Sequence, residues 1–355
     1  MKNKKKVSFP HLGNYWVAIE FLVKNALDAD YIIPPPITKK TLELGSMHSP
    51  EFVCSPFKYN LGNYIEALEA GANTLIQTGG VCRLGYYGEL HEQILKDLGY
   101  DFIFINLAKV SYRKPYTLFS DFKKINPRLS ISKLTNYMSL MIRMVKIIDK
   151  VEGFIRENVG FEVVSGSFDK LLKEFLEALR KVKNKKDINE IYYDYYKQFK
   201  AIKIKKPKKP LKVGIIGEYY TIMEPFSNRY LEKELAKKGM IITRTMNISN
   251  SLFLRREKDV KTKIKGYLQY DIGATGMDTI SEALRLAKEG YDGLIHVKSF
   301  GCMPEVDAIP VLQNISNDYK IPILYLSFDT QTSETGIKTR LEAFYDMIVM
   351  RKEKK

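Results

Sequence analysis

A chain of 355 residues with 45% hydrophobic side chains is longer than one average domain and has core material for two α/β halves. Three cysteines are too few for a secreted disulfide scaffold, and an odd number leaves one unpaired in any case. No apolar run approaches the ~20 residues that span a bilayer, and the basic start Met1–Lys6 leads into a polar-interrupted stretch instead of a signal-peptide core, so the expected location is cytoplasmic. The net charge of +16 is concentrated: Lys197 to Pro210 holds seven lysines and no acid, and the chain ends Arg351-Lys352-Glu353-Lys354-Lys355. Such runs read as a solvated linker and terminus. No zinc-finger spacing or RNA-recognition signature accompanies them, which argues against specific nucleic-acid binding and leaves a coenzyme phosphate or an acidic partner as the anion to be attracted.

In chain order, Phe9-Pro10-His11-Leu12-Gly13-Asn14 turns into a helical pattern at Tyr15–Leu22, and Asp30–Ile33 reads as a short strand stopped by Pro34-Pro35-Pro36. Thr38 is placed to cap a short helix from Lys39 to Leu44, with Gly45 ending it. After Cys54-Ser55-Pro56 come a helical run Tyr59–Ala70, a strand Thr74–Gln77, the loop Thr78-Gly79-Gly80-Val81-Cys82-Arg83, a helix Tyr87–Leu98 and a strand Asp101–Ile105. Alternation of this kind predicts a parallel, doubly wound sheet, whose ligands collect beyond the carboxyl ends of the strands.

From about Ser120 to Lys200 the pattern is amphipathic at helical period, notably Met138–Ile148, Phe168–Val182 and Ile188–Phe199. Its methionines and tyrosines read as packing material. Lys203–Pro210 reads as a charged linker, and a second α/β unit opens with the buried strand Leu211–Gly217. There follow a helix Asn228–Lys238, a strand Met240–Thr243, a helix Asp278–Glu289 behind Gly273-Ala274-Thr275-Gly276, a strand Gly293–Val297, the Cys302 loop, a helix through Leu312, a strand Ile323–Phe328 and a helix Thr335–Tyr345. The predicted architecture is two Rossmann-like doubly wound parallel-sheet domains, residues 1–118 and 211–355, joined by a helical connector and Lys-rich linker at 119–210.

Each cysteine precedes a helical pattern: Cys54 before Pro56, Cys82 before Gly88–Leu98, Cys302 before Pro304. A helix N-terminus stabilises a thiolate and so favours metal binding near neutral pH. Three thiolates suffice for three irons of a 4Fe-4S cluster, leaving a fourth iron open to water, a hydroxyl or a substrate oxygen. Zinc on Cys54, Cys82, Cys302 and one of His48, His91 or His296 is the chemical alternative, and plain burial is the bland one. His296, inside an apolar strand, reads as a hydrogen-bonded core histidine. Glu218 stands at a strand's carboxyl end beside Tyr219 and is the candidate catalytic carboxylate, a position that equally suits a helix cap. The Gly273–Gly276 turn is placed to cradle phosphate or simply to start a helix, and the chain has no GxxxxGK[ST] loop.

Cys54-Ser55-Pro56-Phe57-Lys58, Gly71-Ala72 and Cys82-Arg83-Leu84-Gly85-Tyr86-Tyr87 in the first half, with Gly217-Glu218-Tyr219, Phe300-Gly301-Cys302-Met303-Pro304-Glu305 and Thr339–Phe344 in the second, resemble the 2-hydroxyacyl-CoA dehydratase superfamily, in particular its acyl-CoA dehydratase activase-related (CoA-substrate-specific enzyme activase) proteins. The resemblance implies an oxygen-sensitive 4Fe-4S cluster on Cys54, Cys82 and Cys302, a homologous cluster-bearing partner subunit, and a separate ATP-hydrolysing activator that supplies low-potential electrons. It also implies an acyl-CoA or another small molecule as substrate, with dehydration through a ketyl radical in the dehydratases and reduction in the related double-cubane enzymes. The Gly-x-Asp-x-Gly-Ser/Thr phosphate motif of the activator ATPase is missing from this chain, which is also shorter than typical dehydratase subunits. A non-catalytic electron carrier or scaffold subunit, and a metal-free binding protein using its basic surface, are the competing expectations.

Overall fold

The computed structural model describes residues 4–77, 86–107, 115–254 and 257–354. It is α/β, with two four-stranded, all-parallel sheets flanked by helices, consistent with two Rossmann-like domains. The chain divides into two compact units: Met1–Val145 with Leu176–Ile188, and Lys146–Phe175 with Asn189–Lys355.

The first unit runs β1 (Lys6–Ser8), α1 (Trp16–Asn25), β2 (Asp30–Tyr31), α2 (Lys39–His48), α3 (Ser55–Glu69), β3 (Thr74–Gln77), α4 (Tyr87–Asp97) and β4 (Ile103–Asn106), then α5 (Pro115–Lys123) and the first half of α6 (Ile131–Asn158). The sheet order is β2-β1-β3-β4, with Val7 beside Tyr31 and Thr74, and Leu75 beside Phe104. Successive strand residues point to opposite faces. Thus Ile76 and Ile105 join Leu22, Val23, Phe122 and Leu134 on one side, while Leu75 joins Phe57, Leu61, Tyr64 and Leu95 on the other.

Two sequence expectations change here. The central strand β1 is absent from the sequence reading, because three residues before Phe9-Pro10 carry too little periodicity to register. Gly45 does not end α2, which continues to His48. A Cβ on Gly45 would lie 1.7 Å from the Lys58 carbonyl oxygen, and one on Gly62 would lie 1.9 Å from that of Thr41. The glycine is there so that the backbones of α2 and α3 can touch. Thr38 caps α2 as expected, in a reciprocal box with Thr41.

The second unit holds the rest of α6, the start of α7 (Ser167–Leu179) and most of α8 (Lys185–Ala201), followed by β5 (Leu211–Gly217), α9 (Tyr219–Met223), α10 (Leu231–Lys237), β6 (Met240–Thr243), α11 (Glu257–Ile264), α12 (Ala274–Lys288), β7 (Gly293–Ser299), α13 (Met303–Tyr319), β8 (Ile323–Phe328) and α14 (Glu334–Glu353). Its order, β6-β5-β7-β8, repeats that of the first sheet strand for strand. The helices expected as a connector are divided between the units: Arg180 binds Glu20 in the first (2.7 Å), and Asp149 accepts the Ser249 amide in the second (2.9 Å).

Both C-terminal helices outrun their expected bounds. In α13, Pro310 is exposed, so the carbonyl it leaves unpaired faces water, while Ala308, Val311, Leu312 and Ile315 keep the helix buried on its other side. Arg351–Glu353, the start of the basic tail read as a solvated terminus, belong to the last turn of α14. There Arg351 caps the Lys320 carbonyl (2.6 Å), and Lys352 reaches Asp292 (2.8 Å) and the Pro210 carbonyl (2.9 Å). Among the described residues no helix is long and apolar enough to cross a membrane.

Candidate functional site

In an open parallel sheet the crevice for ligands forms where the chain order reverses, beyond the strands' carboxyl ends. For the order β6-β5-β7-β8 that place is between β5 and β7. The two strands approach very closely there: Gly217 has φ +136°, a Cβ on it would lie 1.8 Å from the Val297 oxygen, and the Glu218 amide donates to that oxygen at 2.9 Å. Only glycine fits. Beyond the end of β5 comes Glu218, and β7 closes with Lys298 and Ser299 before Phe300, Gly301 and Cys302.

Cys302 is the N-cap of α13, with Pro304 in the first turn, where a missing N–H costs the helix nothing. Its amide donates to the Ser299 carbonyl (3.1 Å), closing the turn out of β7. Glu305 stands three residues after the cap, the position from which a glutamate usually reaches back to the cap amide. Here it turns inward instead. Fully buried, it accepts from His296 Nε2 (2.8 Å), from the Thr279 hydroxyl (3.1 Å) and from the Thr275 hydroxyl. Because the two threonines donate and the carboxylate accepts throughout, His296 carries a hydrogen on Nε2. Its Nδ1 has no partner among the described residues. The Glu305 contacts tie the start of α13, and so Cys302, to β7 and α12.

Lys298, the residue of β7 two places after His296 on the same face, is 6% exposed. Its ammonium donates to the Phe300 carbonyl (3.2 Å) and lies 5.9 Å from the Phe300 ring centre. Burial pulls its pKa below the usual lysine value, and the neighbouring Cys302 and Glu305 charges oppose that fall.

Glu218 caps α9: one oxygen accepts the Tyr220 amide (2.7 Å), the other the Thr221 amide (2.8 Å) and hydroxyl (2.5 Å). Burial pushes its pKa above the ordinary carboxylate value against those three hydrogen bonds, and Glu305 adds to the rise. The carboxylate is thus a cap at the carboxyl edge of the sheet whose proton affinity burial raises. Gly273–Gly276 starts α12, as the simpler expectation had it. The Thr275 hydroxyl is committed to Glu305, and a Cβ on Gly276 would sit 2.4 Å from the Pro304 oxygen.

In the first unit Cys54 is the N-cap of α3, with Pro56 in the first turn. The first turn of α3 is fastened to the carboxyl end of β3 by His91, whose ring stacks on Phe57 at 4.0 Å, meets the Phe57 carbonyl through Nε2 (3.1 Å), and meets the amide of Gln77, the last residue of β3, through Nδ1 (2.9 Å). Burial lowers the His91 pKa to about 4, so the ring is neutral. One N–H must serve two contacts. The Phe57 carbonyl oxygen and Gln77 Oε1 both only accept, so the single N–H of the neutral ring serves one of them at a time. Cys54 therefore lies at the carboxyl edge of its sheet. Cys82 is in the segment joining β3 to α4, outside the described residues.

Cys54 and Cys302 are half-buried thiols outside any disulfide. Among the described residues no three His, Cys, Asp or Glu side chains gather as a metal site. Both ring nitrogens of His91 are engaged and Nε2 of His296 is held by Glu305, while His48 is the last residue of α2. Lys298, Glu305, Thr275 and Thr279 received no role from the sequence. The legible hint was Glu305 at the capping-box spacing from Cys302. No protein-family model and no curated protein matches the chain.

Proposed function

We propose that the chain is an iron–sulfur protein of the 2-hydroxyacyl-CoA dehydratase type, holding a 4Fe-4S cluster on Cys54, Cys82 and Cys302. In this reading it takes part in ATP-primed, low-potential electron transfer to an acyl-CoA or another small molecule, with a homologous cluster-bearing subunit and a separate ATP-hydrolysing activator as partners. One observation carries it. Cys54 and Cys302 are each the N-cap of a helix with proline in its first turn, each at the carboxyl edge of a parallel sheet of the same strand order. Cys82 belongs to the connection after β3, the strand that corresponds to β7 before Cys302.

The donor set suits the group: soft thiolates at helix N-termini are favoured ligands of iron–sulfur clusters. When bound, the cluster supplies a redox centre and, at an iron without a thiolate, an open position for a substrate oxygen. The protein's own contributions are separate from that chemistry. The α3 and α13 N-termini stabilise negative charge on the Cys54 and Cys302 sulfurs. Glu218, whose pKa burial raises, stands at the strand edge and is the candidate acid toward a departing hydroxyl.

Iron and acid-labile sulfide analysis of protein purified without oxygen, with an EPR spectrum after reduction, tests the reading. About four of each per chain are expected, and Cys54→Ser, Cys82→Ser and Cys302→Ser are each expected to lose iron. Stoichiometric zinc, or no iron after reconstitution, would overturn it. The engagement of Glu218 as a cap favours a second reading, an electron carrier or scaffold without catalysis of its own. That reading gains if the cluster is fully ligated and the chain has no affinity for CoA thioesters.

A further inference from the structure

A cavity in the second unit, between the end of α11 and the start of α12, serves none of the roles described above. It measures about 710 Å³, within the range of about 300–1,000 Å³ usual for small-molecule sites. Ile264 and Met277, both buried, and half-buried Leu268 give it an apolar floor, and Lys265, Gln269 and Tyr270 stand on its walls. The walls are braced at both ends. Asp271, also in the lining, takes the Lys261 ammonium of α11 on one carboxylate oxygen (2.9 Å) and the amide of Gly273, the cap of α12, on the other (2.7 Å). The Tyr267 hydroxyl holds the same loop to Asp318 of α13 (2.8 Å). Met277 follows Gly276, the residue packed on the Pro304 carbonyl at the start of α13, so the cavity opens beside the helix starts that border the carboxyl edge of the sheet.

Among the described residues the side chains of Lys265, Gln269 and Tyr270 make no hydrogen bond, ion pair or ring contact, and Tyr270 is 80% exposed. A single exposed tyrosine calls for no explanation. Here it shares a braced cavity with an amide and an ammonium, and the three match the parts of an adenosine phosphate. A tyrosine ring offers a base a face to stack on. A glutamine amide pairs with N6 and N7 of adenine, donor to acceptor and acceptor to donor. A lysine meets phosphate as a point charge, and because Asp271 is already offset by Lys261, Lys265 leaves the lining with a surplus positive charge. We propose that this cavity binds an adenosine phosphate, with the base on Tyr270 and Gln269 and the phosphate on Lys265. That the adenosine is the nucleotide end of a CoA thioester rests on the proposed function; a free adenine nucleotide presents the same chemistry.

Isothermal titration calorimetry on the full chain tests it with ADP, adenosine 3′,5′-bisphosphate as the nucleotide end of CoA, GDP and pyrophosphate. The adenosine ligands are expected to bind about tenfold more tightly than GDP or pyrophosphate. Tyr270→Ala and Lys265→Met should each weaken them about tenfold, and Gln269→Leu should remove the preference over GDP. All three positions are exposed, so the variants are expected to fold as the parent does. Tighter binding of the bisphosphate than of ADP identifies the coenzyme as the source, and the reverse order a free nucleotide; both orders support the site. No binding of either adenosine ligand at about 1 mM overturns the proposal. Equal affinity for ADP and pyrophosphate also overturns it, since the surface then attracts anions only, as does binding that none of the three variants changes.

The result does not depend on iron. A parent that carries a cluster and binds no adenosine phosphate refutes the cavity proposal and leaves the cluster reading standing. A parent without iron that binds adenosine phosphates through Tyr270, Gln269 and Lys265 refutes the cluster reading and keeps the cavity proposal.

Discussion

At the scale of single residues, two buried polar side chains fasten the two described cysteine-bearing helices to their sheets, and they respond differently to pH and mutation. His91 is neutral in the fold, with a pKa of about 4 against about 6.5 for an unfolded chain. Between those values the unfolded state binds the extra proton. The stabilisation is complete above about pH 6.5 and is lost as the pH falls toward 4, by about 3 kcal/mol in all. Unfolding free energies measured across that window should show this slope in the parent and a shallower one in His91→Gln; equal slopes would place the acid sensitivity elsewhere. Glu305 accepts three hydrogen bonds without exposure. Replacing it with alanine strands three donors and should cost about 3 kcal/mol. Thr279→Val, which removes one donor, should cost about 1 kcal/mol. Urea unfolding of both variants checks the ratio, and a Glu305→Ala loss no larger than that of Thr279→Val would mean that the carboxylate is not the hub of the network.

At the scale of elements, contact between helices depends on missing side chains as much as on present ones. The α2 and α3 backbones meet through Gly45 and Gly62, each aimed at a carbonyl oxygen of the other helix. Gly62→Ala needs a backbone shift, because the atom it must clear is a carbonyl and not the end of a flexible side chain. Overpacking of this kind costs about 1–3 kcal/mol, whereas helix propensity alone would predict a gain of about 1 kcal/mol. The sign of the change in melting temperature therefore separates the two effects. A stabilised Gly62→Ala would show that the helices have room to part. The same device operates at Gly276, where the first turns of α12 and α13 are brought together beside Thr275 and Glu305.

At the scale of the whole molecule, one strand order is used twice, and each described cysteine lies at the carboxyl edge of its sheet. The net charge of +16 is a property of the whole chain. Many of the ion pairs are exposed partners three or four residues apart on one helix, such as Lys39–Glu43, Lys96–Glu92 and Lys338–Glu334. Such exposed pairs contribute little and are weakened by salt, as is the repulsion among the surplus lysines. With the surplus this large, repulsion should dominate, and the melting temperature should rise between about 0.02 and 0.3 M KCl, where the Debye length shortens from roughly 20 to 6 Å. A fall over that range would show that the ion pairs outweigh the repulsion.

The local pattern of the sequence was enough to predict two parallel α/β units and most of their strands. Leu211–Gly217, Thr74–Gln77, Met240–Thr243 and Ile323–Phe328 are found where they were expected, because runs of β-branched and aromatic residues between helical periods carry their own signal. The same pattern marked Cys54 and Cys302 as preceding helices and allowed Glu218 as a cap. What the sequence left open depends on partners distant along the chain. β1 exists because Val7 finds neighbours in β2 and β3, not because three residues prefer extension. Gly45 resembles a helix stop until α3 lies against it. The engagement of Glu305 with His296, Thr275 and Thr279, and the burial of Lys298 beside the Cys302 turn, arise only when β7, α12 and α13 are packed together. Hydrogen bonds and charge offsets between separate elements leave no period in the sequence, so the tertiary structure alone decides them.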